Sequence, residues 1–186
     1  ILTGGRLVLG VGVGWSSAEF KALGMDFDNR GDRIEEQVEL LRRLWSDELV
    51  DFQGQWHQMR DMGMNPRPIQ RPIPIWFGAM ANVAVRRAAR IGDGWLMNPR
   101  TKPDDQMQRK IEIFYEAAET AGRTPGDLGI DATVFAEDRG PEEWLAEAKA
   151  WRDMGATSVT FRTSASGFAN IDGHMAAMKK LAEAAA

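Results

Sequence analysis

The sequence has 186 residues, 44% hydrophobic and 27% charged, the proportions of a folded globular chain rather than a disordered one. Lys and Arg total 23 against 27 Asp and Glu, so the net charge is −4 and binding to nucleic acid through phosphate contacts is not expected. Without cysteine, and with only His57 and His174, the chain is denied disulfides, thiol chemistry and a Cys- or His-rich metal site, and no apolar run reaches the roughly 18 residues a membrane span needs.

In chain order the first element is the apolar run 7–14, which suits a parallel strand buried on both faces. Gly10, Gly12 and Gly14 recur every second residue, so they share one face and leave room there for a backbone or a ligand. Ser16 and Glu19 stand at capping-box spacing for a short helix. A longer helix is predicted over 29–46, with Ile34, Val38, Leu41 and Trp45 as its apolar stripe and Glu35, Glu36, Glu39, Arg42 and Arg43 on its wet side. Residues 47–72 are broken by Gly54, Pro66, Pro68 and Pro72 and read as an irregular insertion, with a small hairpin pairing 50–52 and 55–57 about Gly54.

Four strand–helix units follow. Strand 73–79 leads to a helix over 82–90 closed by Gly92. Strand 95–98 leads to a helix with Pro103 in its first turn and Met107, Ile111, Phe114 and Ala118 inward. Strand 130–136 leads to a helix from Pro141 that buries Trp144, Leu145, Ala148 and Trp151. Strand 158–163 leads to a last helix from Asn170, with Ile171, Met175, Met178 and Leu181 on one face and His174 at its solvent margin. Five alternating units mean a parallel α/β sheet with helices outside, either an open doubly wound sheet or part of a (β/α)8 barrel. The glycines at 10–14 lack the spacing of a dinucleotide-binding turn, and no acidic residue closes a second strand at the usual distance, so nothing supports the doubly wound form.

Four segments then carry a resemblance. They are 2–15 (LTGGRLVLGVGVGW), 19–24 (EFKALG), 65–70 (NPRPIQ) leading into 74–78 (PIWFG), and 86–95 (RRAARIGDGW). In this order they resemble the luciferase-like monooxygenase superfamily, and most of all its actinobacterial branch that uses a deazaflavin, coenzyme F420, in place of flavin mononucleotide (FMN). The resemblance implies a TIM-barrel fold in which 7–14 is the fourth strand and strands five to eight follow. Residues 1–186 would then form one partial barrel domain of about five β/α units with an insertion at about 47–72, in keeping with a trimmed or truncated chain that opens at Ile1. It also implies a cytoplasmic, homo-oligomeric oxidoreductase that uses F420, ahead of FMN, for hydride transfer or oxygenation of a small organic substrate, with neither nucleic acid nor membrane as partner. The alternative is a truncated or non-catalytic half-barrel that associates through its exposed sheet edges.

In a barrel the ligand sits at the C-terminal ends of the strands. Gly12, Val13, Gly14 and Trp15 would let the cofactor approach the backbone and wall its pocket, or else relieve crowding and fill the core. Gly78, Ala79, Met80, Ala81 and Asn82 lead into a helix whose free N–H groups suit the cofactor phosphate; a plain cap by Asn82 is the other reading. Asn98 and Arg100 offer substrate contacts or a polar loop, and Glu137, Asp138 and Arg139 read as solvated charges. Arg162, with Ser164, Ser166 and Gly167 nearby, would meet an anionic substrate or phosphate, or form a structural ion pair. His57 reads as a packed loop histidine. Some deazaflavin enzymes of the superfamily carry a catalytic Glu where this chain has Trp15, and flavin-binding members an Arg where it has Val13, so no catalytic residue is assigned. No metal is expected.

Overall fold

The computed structural model describes residues 1–137 and 139–185. The chain runs β1 (Leu9–Val11), α1 (Ser17–Ala22), α2 (Arg30–Ser46), β2 (Val50–Gln53), β3 (Gln58–Met62), β4 (Ile75–Gly78), α3 (Asn82–Ile91), β5 (Gly94–Leu96), α4 (Asp105–Thr120), β6 (Gly129–Phe135), α5 (Pro141–Asp153), β7 (Ser158–Arg162) and α6 (Ile171–Ala184). Five strands form one parallel sheet in the order β1-β4-β5-β6-β7, and β2 and β3 pair as an antiparallel hairpin. The order follows the chain with no reversal, so the sheet has no switch point of the doubly wound kind. Side chains from α2 to α6 join one buried cluster with the strands, which is the one-sided arrangement of a barrel wall. Among the described residues the sheet does not close: β1 and β7 are its edges.

The alternation of a strand explains the two faces. Ile75, Phe77, Trp95, Ile130, Ala132 and Val134 turn toward the helices and are buried there, where each large side chain contributes about 1.5–3 kcal/mol relative to exposure. The opposite face is built differently. One register row reads Gly10, Trp76, Gly94, Gly129: a single indole and three glycines. A methyl group added at Gly94 or Gly129 would overlap the Trp76 ring, so the indole lies across two neighbouring strands that have no side chains there. The next row brings Asp131 beside Ser158, and the Asp131 carboxylate accepts hydrogen bonds from Ser158 Oγ (2.7 Å) and Thr160 Oγ1 (2.8 Å). At the N-terminal ends of the strands Asp93 Oδ2 accepts from the Ile75 N–H (2.8 Å) and Arg42 Nη2 (2.9 Å), tying β4, β5 and α2 together on the side away from the ligand face.

Several predicted elements shift. The 7–14 strand contracts to Leu9–Val11, because Gly14 takes a left-handed turn (φ +81°) that ends it. The second arm of the hairpin is Gln58–Met62, not 55–57. Gln55, Trp56 and His57 form the turn, and their N–H groups all donate to the Glu36 carboxylate, as does His57 Nδ1–H at 2.8 Å. Burial alone would raise the Glu36 pKa, but these hydrogen bonds hold it below the usual carboxylate value. Pro103 precedes α4, whose N-cap is Asp104, accepting from the Met107 N–H at 2.9 Å; the predicted inward face of that helix is buried throughout. The last helix is rotated from its expected orientation. Ala177 is its buried residue, His174 is half-buried against Phe168, and Ile171, Met175 and Met178 are exposed. No helix among the described residues is long and apolar enough to cross a membrane.

Candidate functional site

Three of the predicted strand ends converge on one cleft of about 850 Å³. Gly12 to Trp15 line it after β1, Gly78 to Ala81 after β4, and Leu96 to Pro99 after β5. An apolar groove of about 580 Å³ between α5, α6 and β7 lies outside the sheet and has no such convergence of strand ends.

The glycines of the first end divide by role. A methyl at Gly14 would stand 2.8 Å from the Phe20 ring, and its positive φ also demands glycine, so Gly14 is structural. At Gly10 the neighbour is Leu96, at 3.1 Å. At Gly12 a methyl would meet nothing within 4 Å, so no protein atom explains the missing side chain. Trp15 is 88% exposed, which removes the core reading of that residue and leaves its indole at the cleft mouth.

At the second end the N-cap of α3 is Ala81, which has no capping side chain, so the expected cap by Asn82 is replaced. Asn82 Oδ1 instead accepts from Lys110 Nζ (3.0 Å), which also donates to the Met80 carbonyl (2.8 Å). The buried Trp95 Nε1 donates to the Ala79 carbonyl (2.9 Å). In a trans peptide the N–H points opposite to the preceding C=O. Anchoring the carbonyls of Ala79 and Met80 therefore turns the N–H groups of Met80 and Ala81 away from Trp95 and Lys110. Those two N–H groups and those of Asn82 and Val83 have no acceptor among the described residues. Neither Lys110 nor Trp95 stood out in the sequence as a loop anchor, because both belong to later elements.

The cleft also holds groups that sequence reasoning missed: Arg30 and Gly31 at the start of α2, and Arg87 on α3. Arg30 donates from Nη1 to the Phe27 carbonyl (2.7 Å) and lies 3.5 Å over the Phe27 ring. A methyl at Gly31 would overlap the Arg87 guanidinium, whose Nε donates to Glu35 Oε1 at 2.9 Å. Burial tends to raise the Glu35 pKa, yet hydrogen bonds from Arg90 and Arg87 leave it lowered. Gly31 lies in the first turn of α2, where the helix-interior penalty on glycine does not apply, so local sequence carried no signal for this arm.

The third end places Asn98 on the cleft, with its Oδ1 accepting from the Arg100 N–H at 3.0 Å. Arg162 is outside the cleft. It is exposed, so the buried ion pair is not formed; its Nε donates to Ser164 Oγ (2.7 Å) and its guanidinium stands 5.7 Å from the Phe135 ring centroid. Arg139 is not solvated as expected but pairs with Glu147 and donates to the Phe135 carbonyl at 2.6 Å. Asp138 lies outside the described residues. His57 packs against Glu36 in the β2–β3 turn and does not line the cleft.

Comparison with known proteins places this architecture. The profile described as luciferase-like monooxygenase matches residues 1–185. An F420-dependent glucose-6-phosphate dehydrogenase of Kineococcus radiotolerans is 31% identical over 163 residues, covering 84% of this chain and 47% of that protein. An FMNH2-dependent dimethylsulfone monooxygenase of Pseudomonas putida is 29% identical over 140 residues, covering 73% of the chain and 38% of the relative. The crystal structure of monooxygenase RslO1 from Streptomyces bottropensis superposes with a TM-score of 0.81 at 25% identity, over 98% of this chain and 68% of that one. The chain thus spans about half the length of these two curated relatives, or less. With the profile matched almost end to end and the one-sided parallel sheet in place, the chain belongs to the luciferase-like monooxygenase family.

Proposed function

We propose that the intact protein is an oxidoreductase that holds coenzyme F420 in the cleft at the ends of β1, β4 and β5 and acts on a small organic substrate. Residues 1–186 form, in this reading, one partial barrel domain, with the β2–β3 region as its insertion. The observation that carries the reading is the convergence of Gly12–Trp15, Gly78–Ala81 and Asn98 on one cleft. The residues present fit such a group. Gly12 leaves a path along the backbone that packing does not require, and the unspent N–H groups of Met80 to Val83 suit a phosphate at a helix N-terminus. Arg30 adds a positive charge to the same cleft beside Asp28, while Arg87 is paired with Glu35, and Trp15 offers a planar wall at its mouth.

When bound, F420 supplies two-electron hydride chemistry, so the protein's part is to orient and shield. Met80 to Asn82 would hold the phosphate, Gly12 to Trp15 would border the ring, and Asn98 would be available to the substrate. FMN, with oxygenation in place of hydride transfer, is the second cofactor choice, supported by the monooxygenase relative. Relatives with F420 in their names favour the first. The intact protein is titrated with F420 and, separately, with FMN, following ring fluorescence. Saturable binding, tighter for F420, is expected; no saturable binding of either cofactor overturns the proposal.

A second reading follows from the edges β1 and β7, open among the described residues: a non-catalytic half-barrel that associates with a second copy through those edges and the exposed Ile171, Met175 and Met178. A hydrodynamic mass equal to a monomer at high concentration would argue against self-association.

A further inference from the structure

The corner at the ends of β6 and β7 is outside the cofactor cleft and is built around one aromatic ring. Phe135 is buried, yet both Arg100 and Arg162 stand over its ring, with guanidinium carbons 5.1 and 5.7 Å from the centroid. Two like charges over one ring repel each other, and the ring quadrupole offsets only part of that repulsion. Arg162 is held there by Ser164 Oγ on its Nε, and both terminal nitrogens of its planar fork are without a hydrogen-bond partner among the described residues. Arg100 is met by the Glu137 carboxylate at the long distance of 3.8 Å.

The backbone around this corner is constrained too. Among the described residues three that are not glycine have positive φ, and two of them flank it: Glu137 (φ 37°) after β6 and Ala165 (φ 59°) after β7. Such conformations cost free energy and gather at ligand-binding places. The turn after β7 also carries Ser166, a buried serine whose Oγ has no hydrogen-bond partner among the described residues. Finally, Arg100 is two residues from Asn98, which lines the cofactor cleft, so the corner adjoins that cleft along the barrel mouth.

We propose that Arg100 and Arg162, braced on Phe135, bind an oxyanion, a carboxylate or phosphate, of the organic substrate. This rests on the oxidoreductase reading for the word substrate, and it narrows that substrate to an anionic one. With Glu137 already countering part of the Arg100 charge, the oxyanion balances what remains on the pair, and the fork of Arg162 gives it a bidentate seat. The anionic end is then anchored at β6 and β7 while the reacting end reaches toward Asn98 and the cleft.

The test uses inorganic phosphate as probe on the intact protein, read by the arginine Nε–H and backbone amide signals in ¹⁵N spectra, with and without saturating cofactor. Phosphate is expected to shift the Arg162 Nε–H and the Ser164–Ser166 amides whether or not cofactor is present. Arg162→Gln, and separately Arg100→Gln, should weaken this binding by roughly tenfold, the worth of a charge-assisted hydrogen bond, and leave cofactor affinity within about twofold. Arg162→Lys should restore only part of it. The proposal is overturned if phosphate shifts only the Met80–Val83 amides, if cofactor abolishes the Arg162 shift, or if neither glutamine variant changes phosphate binding. A wild-type protein that binds phosphate at Arg162 but takes up neither cofactor would instead sink the oxidoreductase reading, so the two failures are distinct.

Discussion

The row Gly10, Trp76, Gly94, Gly129 predicts a coupled pair of substitutions. In Gly129→Ala the new methyl would come closer to the Trp76 ring than the 3.0 Å that real Cβ contacts respect. Overpacking of this kind costs about 1–3 kcal/mol. Trp76 is half-buried and can swing toward the open face, which favours the lower half of that range. Removing a glycine also restricts the unfolded chain, a gain of about 0.4–1 kcal/mol. The net expectation is a loss of about 1 kcal/mol, or roughly 2–4 °C in Tm for a chain of this size. In a Trp76→Leu background the obstruction is absent, so the same substitution should be neutral or slightly stabilising. Urea unfolding followed by far-UV circular dichroism on the four proteins gives the coupling energy directly. An equal cost of Gly129→Ala in both backgrounds would show that the indole does not lie over Gly129, and the account of this face would fail.

Three further outcomes follow. Gly12→Ala should leave stability within about 0.5 kcal/mol, because its methyl meets nothing, whereas Gly12→Leu should fill the cleft and lower cofactor affinity by roughly tenfold or more; unchanged affinity in Gly12→Leu would move the cofactor elsewhere. Lys110→Met frees the Met80 carbonyl and should weaken cofactor binding about fivefold, the equivalent of about 1 kcal/mol, in the same fluorescence titration; a change confined to thermal stability would deny Lys110 a role in setting the loop. The Glu36 carboxyl is held below its ordinary value of 4.5, so its contribution is full above that pH and is lost as pH falls through the lowered folded value. Wild type and Glu36→Gln should therefore differ most in stability at neutral pH and converge in acid; a difference that grows as pH falls would contradict this sign.

Much of the barrel wall was legible from periodicity. The Met107, Ile111, Phe114 and Ala118 stripe and the buried tryptophans of α5 follow from apolar spacing that packing merely accepts, whereas the sequential strand order rested on the missing dinucleotide-binding turn and on the family resemblance. The last helix was only partly legible in this way: of the predicted face Leu181 packs on the core, but Ile171, Met175 and Met178 are exposed and Ala177 is buried in their place, a choice that only the position of the sheet makes. The strand ends that meet in the cleft could be named from glycine spacing and from resemblance. What holds them could not. Lys110 and Trp95 act on the loop 79–82 from elements one unit further along the chain, and Arg87 meets Gly31 across more than fifty residues. Such contacts leave no mark in local sequence. The 55–57 turn failed for the same reason, since Glu36 on α2 organises it and hairpin chemistry alone does not.

The central claim is that the free N–H groups at the start of α3 receive the phosphate of the cofactor. The most direct measurement is the ¹⁵N–¹H amide spectrum of the intact protein at saturating F420. The account predicts that the Met80, Ala81, Asn82 and Val83 amides move downfield together as they gain an anionic acceptor. Saturated binding with those four signals unmoved would contradict it.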